Sequence, residues 1–268
     1  MIWTGVPTHR QVRVSLTAPK STVHVIETPL QTIVFHESRN IYDVRIEKTL
    51  LEAIPPSIFT QELLETLFIT NSQLTSIDFE LFSKLPYLSY CNFSFNKLHT
   101  LHFSRDEPCC HRLLMFNLEH NRLEQFDFGA IAHMGCLDTL ILRENRLHVL
   151  ENRELNGTVP MKLSSFVCNE LQRYSTKNWT TASNTSFARL NTIDLNGNQL
   201  RSVNMSMFIS MPWLKDFIIS QNKLTEVIVS DGKLPQRLEF IDLSFNRLAN
   251  ADLRSLLGVK TVNLGGNQ

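Results

Sequence analysis

The chain has 268 residues, 43% hydrophobic and 19% charged, a balance that excludes an intrinsically disordered polypeptide. Lys+Arg and Asp+Glu stand equal at 26 each, so no basic surplus exists to recognise phosphates, and nucleic acid and anionic membrane are poor default partners. No run approaches the roughly 20 apolar residues that span a bilayer, and the N-terminal stretch lacks the continuous apolar core of a secretory leader.

Residues 1–21 carry no repeat and are expected to be irregular. A periodic frame then fills residues 22–268 as about eleven units, the last one incomplete. Its first copies are loose: Val23, Val25, Thr28, Leu30, then Ile41, Val44, Ile46, Thr49, Leu51, then Leu64, Leu67, Ile69, Ser72, Leu74. Close copies follow at Leu88, Cys91, Phe93, Asn96, Leu98 and at Leu113, Phe116, Leu118, Asn121, Leu123, then at Leu137, Leu140, Leu142, Asn145, Leu147. A degenerate copy fits Met161, Ser164, Phe166, Asn169, Leu171, and the polar run after it predicts a protruding loop. The frame resumes at Leu190, Ile193, Leu195, Asn198, Leu200, at Leu214, Phe217, Ile219, Asn222, Leu224 and at Leu238, Ile241, Leu243, Asn246, Leu248, and it ends on Val259, Val262, Leu264, Asn267.

Each slot has a physical task. The two inner apolar positions define a short strand with both side chains inward. The Asn occupies a buried bend where its amide satisfies backbone groups the turn leaves unpaired. Phe59, Phe82 and Phe208 recur eight residues after the Leu that follows the slot. No unit buries its own faces, so the units must stack on one shared core.

The frame is the L-x-x-L-x-L-x-x-N-x-L signature of leucine-rich repeats. The stretches IYDVRIEKTLLEAIPPSIF and LLETLFITNSQLTSIDFELF resemble extracellular members, most closely the leucine-rich immune proteins of mosquitoes or Toll-like receptor ectodomains. The resemblance implies an α/β solenoid, a right-handed horseshoe with a parallel β-sheet on its concave face and an irregular, 3-10 or short helical convex side. It further implies a secreted, non-catalytic scaffold in innate immune recognition, with a complement-like or another leucine-rich-repeat protein as partner. A receptor ectodomain fragment and an intracellular scaffold stay open as alternatives. Neither end shows the Cys-rich cap usual in secreted members, so the chain reads as a piece lacking its signal and its C-terminal region.

Sequons at Asn92, Asn156, Asn178, Asn184 and Asn204 are candidate glycosylation sites. Cys91 occupies a core slot, and Cys168 precedes an Asn slot. Cys136 precedes the strand next to the one that Cys109 and Cys110 precede, so the three are disulfide candidates, Cys136 being in reach of either partner. No phosphate loop, nucleophile elbow or H-E-x-x-H is present, and no cofactor is expected. His99, His102, Cys109, Cys110 and His111 include zinc-type ligands but fit no standard spacing.

The outward strand residues are the candidate partner-binding surface: Phe68, Tyr90, Phe95, His120, Arg143, Glu144 and Phe245, together with Asp194, Asp216 and Asp242, which the repeat frame suggests lie at equivalent strand positions as an acidic stripe. Aromatic and Arg side chains are the usual anchors of protein interfaces.

Overall fold

The structure is a computed structural model describing residues 2–4, 11–14, 21–36, 40–103, 109–151, 189–229, 234–249, 254–256 and 258–267. Its organising element is an eleven-stranded parallel sheet whose strands follow one another in chain order. Strands of three to seven residues recur because each repeat supplies only one L-x-L core.

Pairing is in register across the sheet. Leu67 pairs with Cys91, Cys91 with Phe116, Phe116 with Leu140, then Leu140 with Ile193, Ile193 with Phe217 and Phe217 with Ile241. All seven are buried, as are Phe93, Leu118, Leu142, Leu195, Ile219 and Leu243 two positions on. Alternation therefore sends one face of every strand into a single continuous core.

The first 21 residues depart from expectation. Ile2–Thr4 pairs with His24–Ile26 and adds a rung to the main sheet, and Gln11–Val14 pairs with Thr32–Phe35 on the flank. Ile-Trp-Thr and Gln-Val-Arg-Val have β-type composition but no Asn slot, so the repeat frame does not detect them.

A second departure concerns the degenerate copy. Met161, Ser164, Phe166, Asn169 and Leu171 lie outside the described residues. Thr139–Ile141 pairs directly with Thr192–Asp194, so these two strands are neighbours in the sheet. The Phe128 and Phe208 rings also meet edge-on across the same gap, with centroids 5.3 Å apart.

Beyond each bend the chain forms small lateral pairs, such as Ser76–Asp78 with Thr100–His102 and Ser202–Asn204 with Glu226–Ile228. The convex side is built of 3-10 turns at Pro56–Thr60, Phe79–Lys84, Phe128–Ile131 and Met205–Phe208. Asp78, Asp127 and Asn204 cap three of these by accepting from the N–H two residues on. Phe59, Phe82 and Phe208 point from this side into the core.

The buried asparagines tie each turn to the one before it. Asn121 Oδ1 accepts from Leu98 N–H at 3.0 Å, and its Nδ2 donates to Phe93 O of the previous turn at 2.9 Å and to its own Leu118 O at 3.0 Å. Asn96, Asn145, Asn198, Asn222, Asn246 and Asn267 accept in the same way from Leu74, Leu123, Leu147, Leu200, Leu224 and Leu248. Asn198 reaches Leu147, its neighbour on the adjoining turn, across 51 residues of sequence. In the N-terminal turns Ser72 Oγ accepts from Thr49 N–H and meets Thr49 Oγ1, while Thr28 Oγ1 is buried without a partner.

Candidate functional site: the outward face of the sheet

Among the described residues, the one before each Asn slot takes a left-handed backbone. Glu27, Lys48, Asn71, Phe95, His120, Glu144, Gln221 and Phe245 have φ between 49° and 55°, and Gly197 and Gly266 have 68° and 71°. The bend into the Asn requires this conformation, and it costs roughly 1–2 kcal/mol for an L-residue. It also swings those side chains clear of the core, to form a row along the edge of the outward face.

Neighbours in this row contact one another. Lys48 pairs with Glu27, and the Phe95 ring stacks on His120. Glu144 lies over Gly197, where a Cβ would sit 2.5 Å from Glu144 Oε1. Phe245 lies over Gly266, where a Cβ would sit 2.6 Å from its ring. The two glycines therefore serve both the left-handed turn and the close approach of a neighbouring side chain. Phe245 is 63% exposed and Phe95 44%, the two most exposed large apolar side chains among the described residues.

Across the strands, Phe68 lies beneath the Arg45 guanidinium at 5.1 Å, and Tyr90 is exposed at the start of its strand. Arg143 Nε approaches Glu119 Oε1 at 3.0 Å, and His120 Nε2 lies 3.5 Å from the same oxygen. The Asp194 carboxyl is raised above the usual range by burial, against the opposing effects of the Asn196 N–H and Arg143.

The acidic stripe is not formed as expected. Asp194 pairs in register with Ile218, and Ile218 with Asp242, whereas Asp216 pairs with Thr192 and Phe240. Asp216 occupies the first strand position and the other two the third, because the apolar pair in that repeat is Phe217 and Ile219 rather than Ile and Leu flanking an Asp. Asp194 and Asp242 also each spend one oxygen on the backbone, accepting from Asn196 N–H and Ser244 N–H. Asn92, Asn117 and Asn263 make the same bond to Ser94, Glu119 and Gly265. This Asx turn pins the third strand position, a role the repeat frame does not reveal.

Of the sequons, Asn92 is half-buried on the outward face with its Oδ1 on Ser94, and Asn204 is exposed on the lateral edge. Asn156, Asn178 and Asn184 lie outside the described residues. Cys109 and Cys110 are free and buried, so the expected bridge from Cys136 to either is not made. Both turn inward, close enough to Cys91 to interact with it, instead of running along the stack. His99 and His102 are exposed on the lateral edge, His111 is half-buried, and no metal-holding group of three ligands exists among the described residues. Cys168 also lies outside them.

A cavity of about 630 Å3 opens between Gln31–Val34 and Leu50–Ser57, away from this face. Among the described residues that line it, Glu52 is the one ionisable group. No helix of the described residues is long and apolar enough to cross a membrane.

Comparison with known proteins agrees with this architecture. The Leucine rich repeat family profile matches residues 188–248. A Leptospira interrogans leucine-rich-repeat protein is similar at 20% identity and TM-score 0.56, over 91% of this chain and 60% of that one. The leucine-rich-repeat domain of APL1B is similar at 19% identity and TM-score 0.58, over 90% and 62%. A chain of the Drosophila Toll–Spätzle complex is similar at 17% identity and TM-score 0.59, over 90% of this chain and 32% of its own length. The chain spans less than two thirds of each of these proteins. In fold, therefore, it is a leucine-rich-repeat solenoid, a stack of short parallel strands in chain order.

Proposed function

We propose that this chain is a non-catalytic protein-binding scaffold, secreted and acting in innate immune recognition, whose outward sheet face docks a protein ligand. The observation that carries the reading is the row of projecting side chains on an in-register sheet, with Phe95 and Phe245 exposed and His120 half-buried at its edge and Tyr90, Phe68 and Arg143 beside them. Aromatic and Arg side chains on a rigid surface are the usual anchors of protein interfaces, and rigidity lowers the entropic cost of docking. A complement-like protein or another leucine-rich-repeat protein is the partner class this reading favours, and the Toll–Spätzle complex is one case of a similar fold engaging a protein ligand.

Two features support an extracellular setting. Cys136 is disulfide-bonded, its partner lying outside the described residues, which suits an oxidising compartment. Asn204 is an exposed sequon on the lateral edge, where a glycan would leave the outward face clear.

The test is cross-linking of the glycosylated chain in body fluid, followed by identification of the captured protein. Phe95→Ala and Phe245→Ala should each weaken the recovered complex by about 1–2 kcal/mol, about five- to thirty-fold in affinity. Binding that survives both substitutions together would sink the docking face. A transmembrane segment encoded downstream of Gln268 would place the same face on a receptor ectodomain, and expressed protein without glycan would favour an intracellular scaffold.

A further inference from the structure

We propose that Cys109 and Cys110, adjacent in sequence and turned together into the core beside His133, form a thiol-exchange site that takes a small disulfide as substrate and closes into a vicinal disulfide. Both thiols are free and buried, the residues being 3% and 5% exposed. His133 is 8% exposed, and its Nε2 is buried with no hydrogen-bond partner of ordinary geometry. Cys110 has φ 62°, and its carbonyl accepts from Leu113 N–H at 3.0 Å, which folds the pair into a tight turn ahead of the strand Met115–Asn117.

The two sulfurs are chemically unequal. The interaction with the Cys110 thiol favours the Cys109 thiolate, burial opposes it and the nearby His133 imidazole adds to it, leaving Cys109 at about 6. Cys110 is pushed well above the ordinary thiol range by burial and by the neighbouring Cys109 and Cys91. One member is thus an anionic nucleophile at neutral pH and the other a protonated thiol held in reserve. Thiolates, not thiols, attack disulfides.

The Cys109 thiolate attacks one sulfur of R–S–S–R, the S–S bond breaks, and its electron pair leaves on RS⁻. Cys110 then attacks the Cys109 sulfur of the mixed disulfide, expels the second RS⁻ and gives its proton to a departing thiolate. One disulfide is reduced by two electrons, and the Cys109–Cys110 pair is oxidised by two. No third ligand converges on the thiols to favour a metal among the described residues.

Dithiodipyridine, offered to the folded full chain, is both substrate and readout. The wild-type chain should release two thiopyridones, keep no mass adduct and yield a Cys109–Cys110 disulfide on peptide mapping. The rate of the first release should be half-maximal near pH 6 and level above it, whereas an ordinary thiol keeps gaining rate through neutral pH. Cys110→Ser should stop after one release with the adduct on Cys109, and His133→Gln should move the midpoint upward. An adduct that persists on the wild-type chain, a bridge to Cys91, or release only after unfolding would each overturn the proposal.

Discussion

The Phe95 ring stacks on the imidazole of His120, their centroids 4.3 Å apart and their planes 19° apart, although each residue sits in a left-handed backbone that disfavours any side chain. Two opposing terms meet there. Such a stack contributes about 0.5–1.5 kcal/mol, and a left-handed L-residue costs roughly 1–2 kcal/mol. Phe95→Ala should destabilise the fold by about the stacking energy, while Phe95→Gly should be close to neutral because it also relieves the backbone. Urea unfolding of the two variants separates the terms; equal losses would show that the left-handed backbone costs nothing at Phe95.

The buried amides give a sharper stability contrast. Asn121→Ala orphans Leu98 N–H in a buried bend, at about 1–3 kcal/mol, while Phe93 O and Leu118 O each lose one donor and keep another, Asn96 Nδ2 and Asn145 Nδ2. Ser72→Ala removes fewer such bonds and should cost correspondingly less. The order of the two urea midpoints checks this, and Ser72→Asn should be the stabilising member of the set.

The glycines of the edge row predict a local repacking. Gly266→Ala brings a Cβ to 2.6 Å of Phe245 Cδ1, so the ring must leave its place. Stability should fall by about 1 kcal/mol from the backbone alone. The movement should appear as a shifted Phe245 aromatic resonance, and ligand affinity should fall with it if that ring is an anchor.

Asp194 sets a pH dependence of definite sign. Burial raises its folded carboxyl above the unfolded value, so the folded state holds the proton more tightly and stability declines as pH climbs through the folded pKa. Asp194→Asn keeps an oxygen to accept from Asn196 N–H and removes the ionisation. The variant and the wild type should differ least below the ordinary carboxylate range. The variant should gain as pH rises through the folded value, measured by urea unfolding across that window.

Much of this architecture is legible from spacing. The apolar slots at Leu140 and Leu142 or Ile193 and Leu195 are buried where the frame sets them, because a strand's two-residue period leaves no other inward choice. The N-terminal rung at Ile2–Thr4 is not legible, since main-chain pairing needs no side-chain signature. The misplaced Asp216 shows the same limit on the outward face: a polar residue beside an apolar one fits two strand positions, and the pairing partner decides between them. The thiols at Cys109 and Cys110 were visible as residues, but their direction depends on the φ of 62° at Cys110, which no spacing encodes.

The direct pairing of Thr139–Ile141 with Thr192–Asp194 carries a lesson about modularity. The two strands are neighbouring rungs of the sheet although about fifty residues of sequence separate them. Leu140 meets Ile193 and Asn198 accepts from Leu147 in the same pattern as at the neighbouring steps, so each rung docks on whichever neighbour presents those contacts, however many residues of sequence separate the two.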